Sequence, residues 1–327
     1  MGAHPPNRFI RQHKAAFGLV LGLACMGFAW LGTVSNSTPV LEEQANPPVA
    51  LSPPAEPVPA ALPETVTFGV KRLPASTLSQ GQSVVVTVTA PDNKAPASLT
   101  LGKRSARFFK QDTPHTWQAV VGLSVDEATG PTALAVTQGD GSVLHHETVT
   151  LTKTSFGRQN INVSSKTGGL QPIPGELEAI GQLKTTLTPI RYWSMPFESP
   201  TPDCQNSPFG TRRYHNGTYT GDYHKGVDLR SPAGRPIKAI AGGKVQIATL
   251  KYRLHGGTVG LDHGQGFTSI YIHMSKVLVK PGDLVKKGQV IGHVGSSGFA
   301  TGPHLHWGLY ANGVPVNPNQ LITYHRC

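Results

Sequence analysis

Hydrophobic and polar positions alternate in short runs from residue 64 to about 153, as in QSVVVTVTA (82–90), ASLTLGK (97–103), TALAVTQ (132–138) and ETVTLTK (147–153). A period of two puts successive side chains on opposite faces of a strand, and Gly, Pro, Asp and Asn separate the runs. The stretch therefore predicts a small β-sandwich-like accessory domain. It holds no cluster of potential metal ligands, because the adjacent His145 and His146 face opposite ways on a strand, so the expectation is a spacer or docking module. The period lengthens at PGELEAIGQLKTTL (174–187), inside a connector covering 154–195. Pro174 lies near its start, and Leu177, Ile180, Leu183 and Leu187 fall on one side, which predicts a short amphipathic helix. From 196 to 327 the texture is again β, with strands predicted at GVDLR, GKVQIATL, TVGLDH, FTSIYIH, QVIGHVG and HLHWGLY and glycine at nearly every junction. The class expected is mainly β.

The first 63 residues follow neither pattern. Arg8, Arg11 and Lys14 precede AAFGLVLGLACMGFAWLGTV (15–34), an uncharged span that as a helix covers about 30 Å, the thickness of a hydrocarbon core. Positive charge ahead of the span keeps the N-terminus inside and sends the rest outward. The span is long for a signal-peptide core and no A-x-A site follows promptly, so an uncleaved transmembrane anchor is favoured over a removed signal. Apolar sequence continues past Cys25, which argues against a lipoprotein site. Residues 35–63 carry eight prolines and three charges, all glutamate; they predict an extended Pro-rich linker. The expected location is the cell envelope, single-pass in the inner (cytoplasmic) membrane, with residues past 34 in the periplasm or its extracytoplasmic equivalent.

Charge adds a class of partner. The formal net charge is +11, and 14 Lys/Arg against 6 Asp/Glu lie from residue 196 onward. A basic field attracts any polyanion, but no basic run interleaved with aromatics occurs, which argues against nucleic acid. An anionic wall polymer remains. Export also permits disulfides, and Cys204 and Cys327 are the two exported cysteines, with one pairing open to them.

Nine of the fourteen histidines lie in the last segment, so spacing must sort them. In YHKGVDLR, His224 and Asp228 are four apart, an even offset that lets both reach one side of an extended segment. In GPHLHWGLY, His304 and His306 share a strand face. His224, Asp228 and His306 together are two imidazoles and a carboxylate, the ligand count of a catalytic zinc site with a fourth position for water. His304 would then lie beside that water, and His273, closing FTSIYIH, would bring in a third segment.

The text FGTRRYHNGTYTGDYHKGVDLRSPAGRPIKAIAGGKV, followed by GFTSIYIHMSKVLVKPGDLVKKGQVIGHVGSSGFATGPHLHWGLYANGVPVNP, resembles the lysostaphin-type (LytM-like) zinc metallopeptidases that cut peptidoglycan peptides. The resemblance covers nearly all of 196–322 and implies an antiparallel β-sheet peptidase domain over 196–327. It implies one zinc per chain held by His224, Asp228 and His306, and catalytic roles for His273 and His304. It leaves Tyr214, Tyr219 and Tyr223 as candidates to assist the oxyanion, carries no role for His215, His255, His263, His293 or His325, and admits a regulatory envelope protein as partner. Glycines in HGG (255–257), HGQG (263–266) and GSSG (295–298) predict rigid turns walling a narrow groove. Two rivals stand beside this reading. One is a catalytically silent peptidoglycan-binding or activator protein, against which the complete ligand set argues. The other is a lipoyl- or biotin-carrier hairpin, suggested by VKPGDLVKKGQVIGHVG; it needs a lysine at the turn, and GSSG has none.

Overall fold

The computed structural model describes residues 66–75 and 77–322. The span 15–34, the linker 35–63, His325 and Cys327 lie outside the described residues. Among those described, no helix is long and apolar enough to cross a membrane. The chain is mainly β.

Residues 69–152 form two facing sheets. One orders Gly69–Leu73, Ser83–Thr89, Thr116–Gly122 and Phe109–Lys110; the other orders Leu78–Ser79, Val143–Thr152, Gly130–Thr137, Ser98–Leu101 and Arg104–Arg107. Val84, Val86 and Val88 point between them, onto Leu99, Leu134, Val136 and Leu151. The consecutive valines of SVVVTVT have a separate cause. Val85 and Val120 belong to a second core shared with Val227, Trp307, Leu309 and Val316, so the first sheet is buried on both faces. A Cβ on Gly122 would fall 2.6 Å from the Ala311 carbonyl oxygen, which shows how closely the backbones approach. Asn312 and Gln320 donate to the carbonyls of Val120 and Ser83, both at 2.8 Å. The accessory module is thus docked along one side.

The second half is built on a ten-stranded antiparallel sheet. Its path runs Gln205–Ser207, Val227–Leu229, Leu305–Ala311, Phe267–Val277, Gly257–Gly264, Gly243–Thr249 and Leu284–Val285. The register sets Asp228 opposite His306, and His306 opposite Ile272 on the other side. The predicted order of strands is present, and the chemistry sits where three of them adjoin.

The connector departs from expectation in two ways. Residues Arg158–Ile161 form a strand parallel to Arg212–His215, which is hairpinned with Thr218–Tyr223, so the connector supplies an edge of the second half. The helix is Glu176–Thr185, with Ile180 and Leu183 buried on Ile247, Ile270, Ile272 and Tyr310. Gly260 makes room for it, since a Cβ there would come 2.5 Å from Leu183 Cδ2. Leu177 and Leu187, expected on that apolar side, are exposed, and Glu176 is fully buried instead. A carboxylate with enough donors around it displaces a leucine from such a position.

Candidate functional site

The Val227–Leu229 strand carries Asp228, and His224 follows the Thr218–Tyr223 strand, opening the short bend that leads into it. The pairing with Leu305–Ala311 then places His306 across from Asp228. Asp228 Oδ1 lies 3.0 Å from His224 Nε2 and 2.8 Å from His306 Nδ1, and those two nitrogens are 2.9 Å apart. All three residues expected from the sequence to bind metal meet at one point.

The neighbouring bonds decide which atoms face that point. His224 Nδ1–H donates to the Pro208 carbonyl at 3.0 Å, leaving Nε2 as the inward atom. Arg213 donates to Asp228 Oδ2 at 3.2 Å, leaving Oδ1 inward. Burial alone would raise the Asp228 pKa, but His224 and then His306 hold its carboxyl well below the usual carboxylate range. Burial pushes His306 down to about 4, against the attraction of Asp228. Gly226 is the residue that lets the two strands close, because a Cβ there would meet the Trp307 carbonyl and lie 2.9 Å from His306 Nε2.

His304 and His273 stand beside this group. Their rings are 4.9 Å apart, His273 is 6.2 Å from the His306 ring, and His304 Nε2 is 3.9 Å from Asp228 Oδ1. His304 Nδ1–H donates to the Gly302 carbonyl at 2.9 Å and His273 Nδ1–H to the Ser297 carbonyl at 2.8 Å. A carbonyl can only accept, so both rings are fixed with Nε2 carrying the free lone pair. Burial, then His304 and His306, lowers His273 to about 3. His273 also has φ 63°, a left-handed backbone that a non-glycine residue adopts only under constraint from its surroundings.

These groups line an open cleft of about 820 Å³. Its walls include Lys184 and Ile180 of the connector helix, together with His215, His255 and Phe299. His215 stacks on Phe299 at 5.3 Å, and burial lowers its pKa. Of the three glycine turns expected to wall a groove, HGG reaches the cleft through His255, whereas neither GSSG nor HGQG is among the lining residues; GSSG packs against HGG, since Cβ atoms on Gly256 and Gly298 would strike Ser297 and Leu254. Of the candidate tyrosines, Tyr214 and Tyr219 pack on each other at 5.2 Å and do not line the cleft. Tyr223 lines it, and burial raises its pKa. His263 is buried between the Gly242 carbonyl and Ser269, away from the cleft. Arg213, Lys184 and the Glu176–His255 pair were not anticipated. Arg213 had a faint signal, being on a short strand just ahead of the His224 turn.

A buried carboxylate between two imidazoles, faced by two more imidazoles of fixed tautomer across an open cleft, brings together groups able to hold a cation and to take up or release protons. Residues 222–318 match the model of Peptidase family M23, and through this domain the chain belongs to that family. Peptidoglycan DD-endopeptidase ShyA of Vibrio cholerae is 40% identical over 112 residues, covering 34% of this chain and 26% of that protein. A crystal structure assigned to peptidase M23 from Pseudomonas aeruginosa superposes with TM-score 0.56 at 29% identity, covering 75% of this chain and 95% of that one. The catalytic domain of the prophage-encoded M23 protein EnpA from Enterococcus faecalis is 38% identical, over 37% of this chain and 95% of its own, with TM-score 0.33. This chain spans about a quarter of the length of the curated relatives it matches.

Proposed function

We propose that this protein is a zinc-dependent endopeptidase that hydrolyses peptide cross-links or stem peptides of bacterial peptidoglycan. The observation that carries the reading is the convergence of His224, Asp228 and His306 within 3.0 Å, faced by His273 and His304, at the base of an open cleft. The donor set fits zinc. His224 Nε2 and Asp228 Oδ1 are both acceptors aimed at one point, with His306 Nδ1 beside them, and a single cation satisfies all three together. Zinc in such a set supplies Lewis acidity, polarising the scissile carbonyl and acidifying water.

The chain's own residues do the rest. Arg213 orients Asp228 through its bond to Oδ2, while His224 and His306 keep the carboxylate ionised. His304 and His273 hold Nε2 toward the cleft, so either can accept the proton of the attacking water. Once protonated, the same nitrogen hydrogen-bonds the tetrahedral oxyanion or hands the proton to the leaving amine. Lys184 on the cleft wall favours a substrate bearing carboxylates, whereas Lys225 is paired with Asp222 at 2.8 Å. The envelope location, the anchor at 15–34 and a Cys204–Cys327 disulfide belong to the same proposal; residues 15–34 and Cys327 are outside the described residues.

Incubating the full-length protein with cross-linked muropeptides and reading product masses tests the reading, with zinc per chain measured on the same sample. The expected result is one zinc per chain and products that differ from substrate by one added water, abolished by a chelator and restored by zinc. Tight binding to peptidoglycan without cleavage would put the silent binding or activator reading in its place.

A further inference from the structure

Glu176 opens the connector helix, is fully buried, and has no place in the chemistry above. Its carboxylate accepts five N–H bonds. Oε2 takes the backbone of Ile173 and Arg253, each at 3.0 Å. Oε1 takes the backbone of Leu254 at 2.9 Å, the backbone of His255 at 2.8 Å and the His255 ring Nδ1–H at 2.8 Å. Burial by itself would raise its pKa, yet the bonds from His255, Ile173 and Arg253 bring it down to about 2, so the group is held as an anion.

The segment it grips reaches the candidate site directly. The His255 carbonyl accepts the His273 N–H at 3.1 Å, and the Leu254 carbonyl accepts the Phe299 N–H at 2.8 Å. Gly257 N–H donates to Ser297 Oγ at 2.9 Å, Ser297 Oγ–H donates to the Met274 carbonyl at 2.8 Å, and the Ser297 carbonyl takes the His273 ring. His273 therefore has its backbone held by one turn and its ring by the other, and it needs both because its left-handed backbone is not self-supporting. Among the described residues, the segment 253–255 receives a buried anion only from Glu176. We infer that Glu176 is a positioning residue: acting through the 253–255 backbone, it fixes His273 in the conformation that aims Nε2 into the cleft. The inference rests on the proposed function for its effect on turnover, though not for its effect on geometry.

The test compares Glu176→Gln with Leu183→Ala in the full-length protein. Leu183 lies in the same helix, is buried, and does not line the cleft, so it reports what loosening the helix alone does. The amide that Glu176→Gln introduces keeps the shape but turns an NH₂ toward donors that need an acceptor. Displacements near 1 Å can cost about 100-fold in rate, so kcat of Glu176→Gln is expected to fall roughly 10- to 100-fold with KM within about twofold. Amide hydrogen exchange at His255 and His273 should quicken by at least about tenfold, the same loss of protection. Leu183→Ala should lower Tm at least as much while leaving kcat and the His273 amide within about twofold. Wild-type kcat in Glu176→Gln, or an equal kcat loss in Leu183→Ala, would overturn the positioning role. If wild-type protein cleaves no muropeptide, the proposed function has failed. Exchange at His273 then decides alone: quickened in Glu176→Gln only, it supports the inference; unchanged, it overturns it.

Discussion

Gly226→Ala probes the closest contact beneath the candidate metal group. Gly226 does not occupy the left-handed region, so alanine meets no backbone penalty there and the only obstacle is space. An added Cβ would lie 2.9 Å from His306 Nε2 and 2.9 Å from the Trp307 carbonyl carbon, and closer still to that carbonyl's oxygen. Reaching an ordinary contact with that oxygen requires the Val227–Leu229 and Leu305–Ala311 strands to separate by about 1 Å. Trp307 is fully buried and cannot yield, so the displacement falls on His306 and Asp228. Overpacking of this kind costs about 1–3 kcal/mol, equivalent to roughly 2–4 °C in Tm per kcal/mol for a domain of this size. Disturbed support of metal ligands typically costs 10- to 100-fold in metal affinity. The expected variant is folded, binds zinc at least about tenfold more weakly, and cleaves muropeptides at most a tenth as fast at saturating zinc. Gly139→Ala, where a Cβ meets nothing within 4 Å, is the control and should match wild type. Zinc titration by competition with a chromophoric chelator, beside calorimetry and product masses, reads all three quantities. A Gly226→Ala protein with wild-type zinc affinity and turnover within twofold would refute the account of how this strand pair sets the site.

The two imidazoles of HLH should separate by phenotype: His306→Ala loses both zinc and cleavage, whereas His304→Ala keeps zinc near one per chain at saturating metal and loses most turnover, by roughly 10²- to 10³-fold. A metal-free His304→Ala, or one that still turns over, contradicts the assignment. His263, with its pKa pushed down to about 4 by burial against an unfolded value near 6.5, is neutral in the fold where the unfolded chain takes up a proton. Its contribution is therefore complete above pH 6.5 and is lost as pH falls to 4, by about 3 kcal/mol. Because His306 and His273 are lowered too, urea unfolding from pH 7 to 4 should lose stability less steeply in His263→Asn than in wild type, by about that amount, while parallel slopes would refute the linkage. Alkylation of unreduced, exported protein is expected to find no free thiol at Cys204 or Cys327, while two modified cysteines would exclude the bond.

What was legible in the sequence followed from local periodicity and spacing. Alternating runs read as strands because the side-chain period of an extended chain is two, and the offsets in HKGVD and HLH put His224 with Asp228, and His304 with His306, on common faces before any fold was known. The glycine-rich turns were readable because positive φ selects glycine almost irrespective of context. Tertiary structure decided everything that depends on a second surface. The triple valine 84–86 breaks alternation because one sheet is covered on both sides, once by its own sandwich and once by the strand pair ending at Val316. Leu177 turned outward and Glu176 inward, against helical hydrophobicity, because a loop some eighty residues downstream presents a ring of N–H groups that no apolar side chain can satisfy. Arg213, His255 and Lys184 entered the cleft through pairings between distant strands and a docked helix, and a one-dimensional pattern holds no record of which surface a residue will meet across such distances.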